Sequence, residues 1–108
     1  MSNIEIRQYQ TADGHIPFAE WLAALRDRRA NQAIAARILR MQAGNRGDWK
    51  AVGGGVFELR IDTGSGYRVY CGQDGATLVL LLCAGDKRTQ PKDIERAHDY
   101  WKDYQARR

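Results

Sequence analysis

Two arginines and a tyrosine occupy matching positions on two neighbouring predicted strands. In the stretch VFELRIDTGSGYRVYC, residues 56–71, apolar side chains alternate with polar ones on both sides of a glycine-rich turn. This alternation is typical of a β-hairpin. Because neighbouring side chains of a strand point to opposite faces, we expect Arg60, Arg68 and Tyr70 to stand together on the face away from the apolar side chains.

Two further cations, Lys87 and Arg88, follow the next predicted strand directly. Three neighbouring strands are therefore expected to bring positive charge to one patch, which suits a phosphodiester. RNA can be cleaved by its own 2′-hydroxyl without a metal if a protein positions that hydroxyl and stabilises the negatively charged phosphorane. Arginine and lysine perform these tasks, so we take Arg68, Lys87 and Arg60 as the candidate catalytic residues.

The remaining candidate RNA-binding residues are Arg88, Lys50 and Tyr70. A base of single-stranded RNA could stack on Tyr70 or on Trp49, because aromatic rings accept any base face. For Trp49, packing in the core or at a hinge is an equal alternative.

An alternative for the cations is that they only keep the domain soluble, with Arg60 paired to Asp62 or Glu58. The net charge of +4 permits an anionic partner without proving one.

Familiar catalytic and metal-binding arrangements are absent from the sequence. We find no nucleophile elbow, HExxH motif, P-loop or CxxC pair. His15 is expected in a solvated turn and His98 at a helix edge, while Cys71 and Cys83 lie in apolar runs and are interpreted as buried thiols. Four carboxylates sit beside predicted turns, where Asp stabilises bends: Asp13, Asp48, Asp62 and Asp86. We therefore expect neither a metal nor another cofactor.

Length and composition indicate one globular domain, because 108 residues with 44% hydrophobic and 28% charged side chains match a common domain size. The longest apolar run, residues 78–84, is far below the roughly 20 residues that span a bilayer. The first ten residues lack the features of a signal peptide. A cytoplasmic protein is the expectation.

The order of predicted elements is β, α, α, β, β, β, α. Amphipathic spacing predicts two helices that form a hairpin with their arginines outward, and Pro91 is expected to open the last helix. The five glycines of residues 44–55 predict a loop. The apolar run at residues 78–84 predicts an interior strand buried on both faces. The fold class is therefore α+β, with helices on one face of a small, mainly antiparallel sheet and the other face open.

The runs GDWKAVGGGVFELRIDTGSGYRVY and LLLCAGDKRTQPKDIERAHDYW resemble the RelE/ParE toxin superfamily, and most closely its addiction module killer protein branch, related to HigB and phage Gp49-like toxins. The resemblance covers essentially the whole chain, including the WLAALRD and ILRMQAGN segments. It implies a helical hairpin on a twisted antiparallel sheet, and a type II toxin that a cognate antitoxin silences. The expected antitoxin is a small helix-turn-helix protein encoded by a neighbouring gene.

For RelE-like members, the resemblance implies metal-independent cleavage of messenger RNA in the ribosomal A site. Arg68, in GYRVY, matches the strand arginine that contacts the scissile phosphate, and Lys87 or Arg88 matches the second basic position. Arg60 matches a further basic strand position. The sequence departs from the RelE pattern on the strand before GYR. RelE carries a pair of lysines there that includes the proposed general base, whereas this chain has Phe57 and Glu58.

RelE's C-terminal tyrosine acid has no clear match near Lys92 and Ile94, and His98 is a loose counterpart of the histidines of HigB-like members. A ParE-like toxin that poisons DNA gyrase by binding, without RNA cleavage, is the alternative. A domesticated relative that has lost toxicity is a third reading.

Overall fold

The structure is a computed structural model that describes residues 3–108. The elements follow the order β1 (Glu5–Gln8), α1 (Pro17–Ala24), α2 (Arg28–Gln42), β2 (Trp49–Gly53), β3 (Val56–Ile61), β4 (Tyr67–Asp74), β5 (Leu78–Asp86), a 3₁₀ turn (Lys87–Thr89) and α3 (Gln90–Arg107). One sheet in the order β1-β5-β4-β3-β2 joins all five strands. Strand β1 is parallel to β5, and the other pairs are antiparallel. The predicted α+β class is confirmed.

The prediction of a loop throughout residues 44–55 is wrong, because this segment contains β2. Strand β2 pairs antiparallel with β3, with Trp49 opposite Leu59. Gly44 and Gly47 precede this strand, and Gly53 is its last residue. Gly54 and Gly55 have positive φ angles and form the tight turn into β3, a conformation that glycine adopts at little cost.

Helices cover both faces of the sheet, so the predicted open face is wrong. On one face, α1 and α2 pack Phe18 and Ile34 against the strands. On the other, Ala97 and Trp101 of α3 pack against Leu82 and other buried strand residues. Strand β5 is buried on both faces, as predicted, and such a strand needs a layer of cover on each side. The last helix supplies the second layer.

One arginine of α2 contradicts the expectation that the helical arginines point outward. Arg37 is buried, and its guanidinium donates to the carbonyl oxygens of Arg46 at 2.7 Å, of Asp48 at 2.8 Å and of Arg60. The segment before β2 is irregular, so the carbonyls of Arg46 and Arg60 lack strand partners, and buried carbonyls require donors. Arg37 therefore fastens α2 to the start of β2 and the end of β3.

The two cysteines are free and buried, which confirms the interpretation of them as core thiols. Burial raises the pKa of the Cys83 thiol to about 12, so it is not a thiolate near neutral pH. Among the described helices, none is long and apolar enough to cross a membrane.

Candidate functional site

The two candidate strand arginines face each other across the β3–β4 hairpin. Arg60 lies directly opposite Arg68, and Glu58 lies opposite Tyr70. All four side chains project from the face that α3 partly covers, as strand alternation predicts. The grouping of Arg60 and Arg68 expected from the sequence is observed.

A buried carboxylate lies between the two arginines. The Oε2 atom of Glu58 is 3.2 Å from Nε of Arg68 and 3.3 Å from Nε of Arg60, and the Glu58 side chain is 0% exposed. The Nε2 atom of Gln90, at the start of α3, donates to Oε1 of Glu58 at 2.9 Å. Of the two pairings considered for Arg60, the structure shows the one with Glu58.

The contact between Arg68 and Glu58 is close but poorly directed. Nε of Arg68 is buried and makes no well-oriented hydrogen bond despite its 3.2 Å distance from the carboxylate. We interpret the pair as a charge contact, because Coulomb attraction does not need hydrogen-bond geometry. Nη1 of Arg68 donates to the carbonyl oxygen of Tyr67 at 3.1 Å, which further restricts the side chain.

Exposure decreases from the arginines to the carboxylate. The Arg60 side chain is 35% exposed and that of Arg68 is 13% exposed, whereas Glu58 lies beneath them. The three charges sum to +1, so the cluster presents a positive surface over a negative floor. The geometry of such a surface suits an anion, because guanidinium groups donate several hydrogen bonds to anionic oxygens.

The cations after β5 lie at the same end of the sheet as the arginines. The backbone N–H of Lys87 donates to the carbonyl of Gly66 at 3.2 Å, and the Lys87 side chain runs along Gly66. A Cβ atom at Gly66 would lie 2.6 Å from Cε of Lys87, so only glycine at this position leaves space for the Lys87 side chain. Arg88 is largely exposed and pairs with Asp86 at 3.0 Å. Lys87 therefore lies against the β3–β4 turn, and Arg88 follows it at the same end of the sheet.

The tyrosine chosen for base stacking is not accessible. Tyr70 is 0% exposed and belongs to the core beneath α3, so the prediction that a base stacks on it is wrong. Burial, followed by the nearby charge of Glu58, raises the pKa of its phenol. The hydroxyl has no hydrogen-bond partner in the structure. Helix α3, whose position the sequence pattern did not reveal, covers this ring.

The other two candidates lie on opposite faces of β2. Lys50 is exposed and pairs with Glu58 in the sheet register, so it stands on the same face as the arginines. Trp49 stands on the other face, where the residue is 45% exposed. The centre of its ring lies 4.7 Å from Cζ of Arg46. The same guanidinium lies 3.8 Å from the ring centre of Phe57. Trp49 is thus part of a cation–π stack away from the arginine pair.

Neither histidine lies in the arginine cluster. Nε2 of His98 is 3.0 Å from the carbonyl of Val52, which ties α3 to the end of β2. His15 is exposed, and its contact with Glu20 at 2.8 Å raises its pKa. Within residues 3–108, no group of three or more His, Cys, Asp or Glu side chains is arranged to hold a metal ion.

Sequence reasoning named Glu58 as a possible partner of Arg60, but it missed the contacts of Glu58 with Arg68 and Gln90. Glu58 and Arg60 are two residues apart on β3, so their side chains must stand on the same face, and this spacing could have placed Glu58 in the cluster. Gln90 carried no such signal, since its contact depends on how α3 docks.

These features define a small α+β domain in which basic side chains cluster at one end of the sheet. Residues 20–102 match the family described as Phage derived protein Gp49-like (DUF891), and the chain belongs to this family. The family is part of the toxin–antitoxin-related RelE/HigB-like group and is associated with toxins. The chain is also similar to an uncharacterized protein of Haemophilus influenzae (strain Rd), with 55% identity over 82 residues, 76% of this chain and 83% of that protein.

Proposed function

We propose that the protein is the toxin of a type II toxin–antitoxin module and that it cleaves messenger RNA on the ribosome by metal-independent attack of the 2′-hydroxyl. The observation that carries this proposal is the pair of facing arginines, Arg60 and Arg68, held over a buried carboxylate at the basic end of the sheet. The family's association with toxins supports the first part of the proposal.

The arginine pair suits the charge that develops during RNA cleavage. The 2′-oxygen loses its proton to water and bonds to the neighbouring phosphorus, which converts a monoanionic phosphodiester into a more highly charged phosphorane. The P–O5′ bond then breaks, leaving a 2′,3′-cyclic phosphate and a 5′-oxygen that takes up a proton from water. Fixed donors aimed at that charge lower the barrier, and they need no rearrangement during the reaction. We assign this task to Arg68 and Lys87, with Arg60, Arg88 and Lys50 holding backbone phosphates.

Glu58 does not act as the general base in this proposal. Its carboxylate is inaccessible to solvent and already contacts Arg60, Arg68 and Gln90. A base must come within hydrogen-bond reach of the proton that it removes. The catalytic contribution assigned to this chain is therefore positioning of the RNA and stabilisation of charge.

We also propose a cognate antitoxin, a small helix-turn-helix protein encoded next to the toxin gene, and a cytoplasmic site of action where ribosomes are found. An apolar groove of about 460 Å³ between α1, α2 and β1 supports a protein partner. Leu39, on its wall, is 67% exposed, and contiguous exposed apolar surface often marks a protein interface.

The test is induction of the toxin without antitoxin, with ribosome profiling and primer extension. The wild type is expected to arrest growth and to generate RNA ends at codon positions. Arg68→Ala is expected to lose about 10²–10³ in cleavage rate, because it removes one donor to the transition state. Arg40→Ala is the matched control, since Arg40 is an exposed arginine on α2.

A folded, fully toxic Arg68→Ala protein would contradict the site assignment. Double-strand DNA breaks with an SOS response, in place of RNA ends, would replace the ribonuclease with a gyrase poison. Normal growth after induction of soluble wild-type protein would remove the toxin proposal altogether.

A further inference from the structure

Glu58 is an unusual residue for the middle of a sheet, because its carboxylate is completely buried. Removing a carboxylate from water costs several kcal/mol unless charges and donors replace the lost hydration. Here two guanidinium groups and the amide of Gln90 replace it. An apolar residue at this position would avoid that cost but would leave the largely buried Arg68 without a counter-charge, so Glu58 and the two arginines stand as one unit.

Without Glu58, the two arginines would repel each other. Like charges directly opposite on neighbouring strands are destabilising, and Arg60 and Arg68 form such a pair. One oxygen of Glu58 contacts Nε of both arginines, so the two guanidinium groups cannot move apart while these contacts last. The low exposure of the cluster leaves this attraction weakly screened.

Docking of α3 places the remaining partner of the carboxylate. Asp93, in the first turn of α3, packs directly over Gly85, where a Cβ atom would lie 1.9 Å from Oδ2 of Asp93. Gly85 is the partner of Arg68 in the sheet. The first turn of α3 therefore lies beside the arginine pair and places Gln90 within hydrogen-bond distance of Glu58.

We propose that Glu58 is a positioning residue that holds Arg60 and Arg68 as a clamp for a single phosphodiester, with Gln90 fixing the carboxylate in turn. This inference rests on the proposed function and extends it to a residue that does not touch RNA. The clamp carries a net charge of +1, which matches a phosphodiester monoanion. Glu58 limits attraction for the bound substrate and fixes the geometry that the transition state needs.

Glu58→Gln separates these two effects, because it keeps the side-chain shape and removes the charge. The clamp then carries +2, so binding of a substrate analogue is expected to be equal or tighter, by up to about tenfold. The single-turnover cleavage rate on programmed ribosomes is expected to fall about 10–100-fold, because the arginines are no longer fixed. Asp62→Asn is the control, since Asp62 is an exposed carboxylate just after β3.

Binding is measured with a 2′-O-methyl RNA oligonucleotide, which lacks the attacking hydroxyl, and with inorganic phosphate. NMR of the arginine Nε–H groups reports the clamp directly. Wild type and Asp62→Asn are expected to show well-dispersed Arg60 and Arg68 signals that shift with phosphate, and Glu58→Gln to show broadened ones.

Gln90→Met is the second variant, and it tests the clamp even if Glu58→Gln unfolds. It keeps all three charges of the clamp, so binding should equal that of the wild type while the cleavage rate falls about 3–10-fold. Equal losses of binding and rate in both variants, or unchanged rates and unchanged arginine signals, would overturn the positioning role. If the wild type cleaves no RNA, the proposed function fails, and phosphate binding with the arginine signals still decides whether Glu58 holds a clamp.

Discussion

Arg37 allows a quantitative test of what holds the basic end of the sheet to the helices. Its guanidinium supplies donors to the carbonyls of Arg46, Asp48 and Arg60. We expect Arg37→Met, which keeps the length of the side chain and removes the donors, to destabilise the protein strongly. The site arginine Arg60 would lose the anchor of its own backbone carbonyl.

The size of the effect follows from these three hydrogen bonds. A hydrogen bond to a charged group contributes about 1.5–3 kcal/mol. The Asp48 carbonyl retains a second donor, the N–H of Arg60 at 2.9 Å, and the exposed position of Asp48 admits water. Roughly two uncompensated bonds remain, so the free energy of unfolding should fall by about 3–6 kcal/mol. In a domain of this size the Tm should fall by roughly 10 °C or more.

Urea unfolding followed by circular dichroism measures this change, with calorimetry for the Tm. Arg40→Met is the matched control, because it removes the same charge from an exposed position on the same helix. Arg40→Met should remain within about 0.5 kcal/mol of the wild type. If Arg37→Met were as stable as Arg40→Met, the buried arginine would not be the anchor that we infer.

Two further predictions concern helix α3. Gly72→Ala should destabilise the protein by about 1–3 kcal/mol or more in urea unfolding, because its Cβ atom would lie 2.2 Å from Cε3 of Trp101, and a Trp101→Leu background should relieve part of the loss. The pKa of Asp103 is lowered by hydrogen bonds from Arg107 and then Tyr9, so its contribution to stability is complete above the unfolded pKa near 4 and is lost as the pH falls through the lower folded value. As the pH falls below about 4, the free energy of unfolding of Asp103→Asn should therefore decrease less than that of the wild type. Acid titrations measure this difference, and identical profiles for the two proteins would refute the linkage.

Local patterns in the chain predicted much of the fold correctly. Apolar spacing predicted all three helices, and alternation predicted β1, β3 and β4. The same alternation correctly predicted that Arg60 and Arg68 share one face of the hairpin, because strand parity is a property of the backbone alone, whereas their direct opposition depends on the register of the hairpin. The glycines of residues 44–55 were misread, since a turn-forming residue marks the ends of an edge strand as readily as a loop.

Contacts between distant segments were decided only by the tertiary structure. The burial of Tyr70 depends on α3 crossing the second face of the sheet, and the burial of Arg37 depends on the carbonyls of Arg46 and Arg60, which have no strand partner. The sequence by itself determined which side chains share a strand face, because backbone geometry sets that alternation. Packing determined that Glu58 is buried and contacts both arginines, because the surroundings of a carboxylate depend on which segments the fold brings against it.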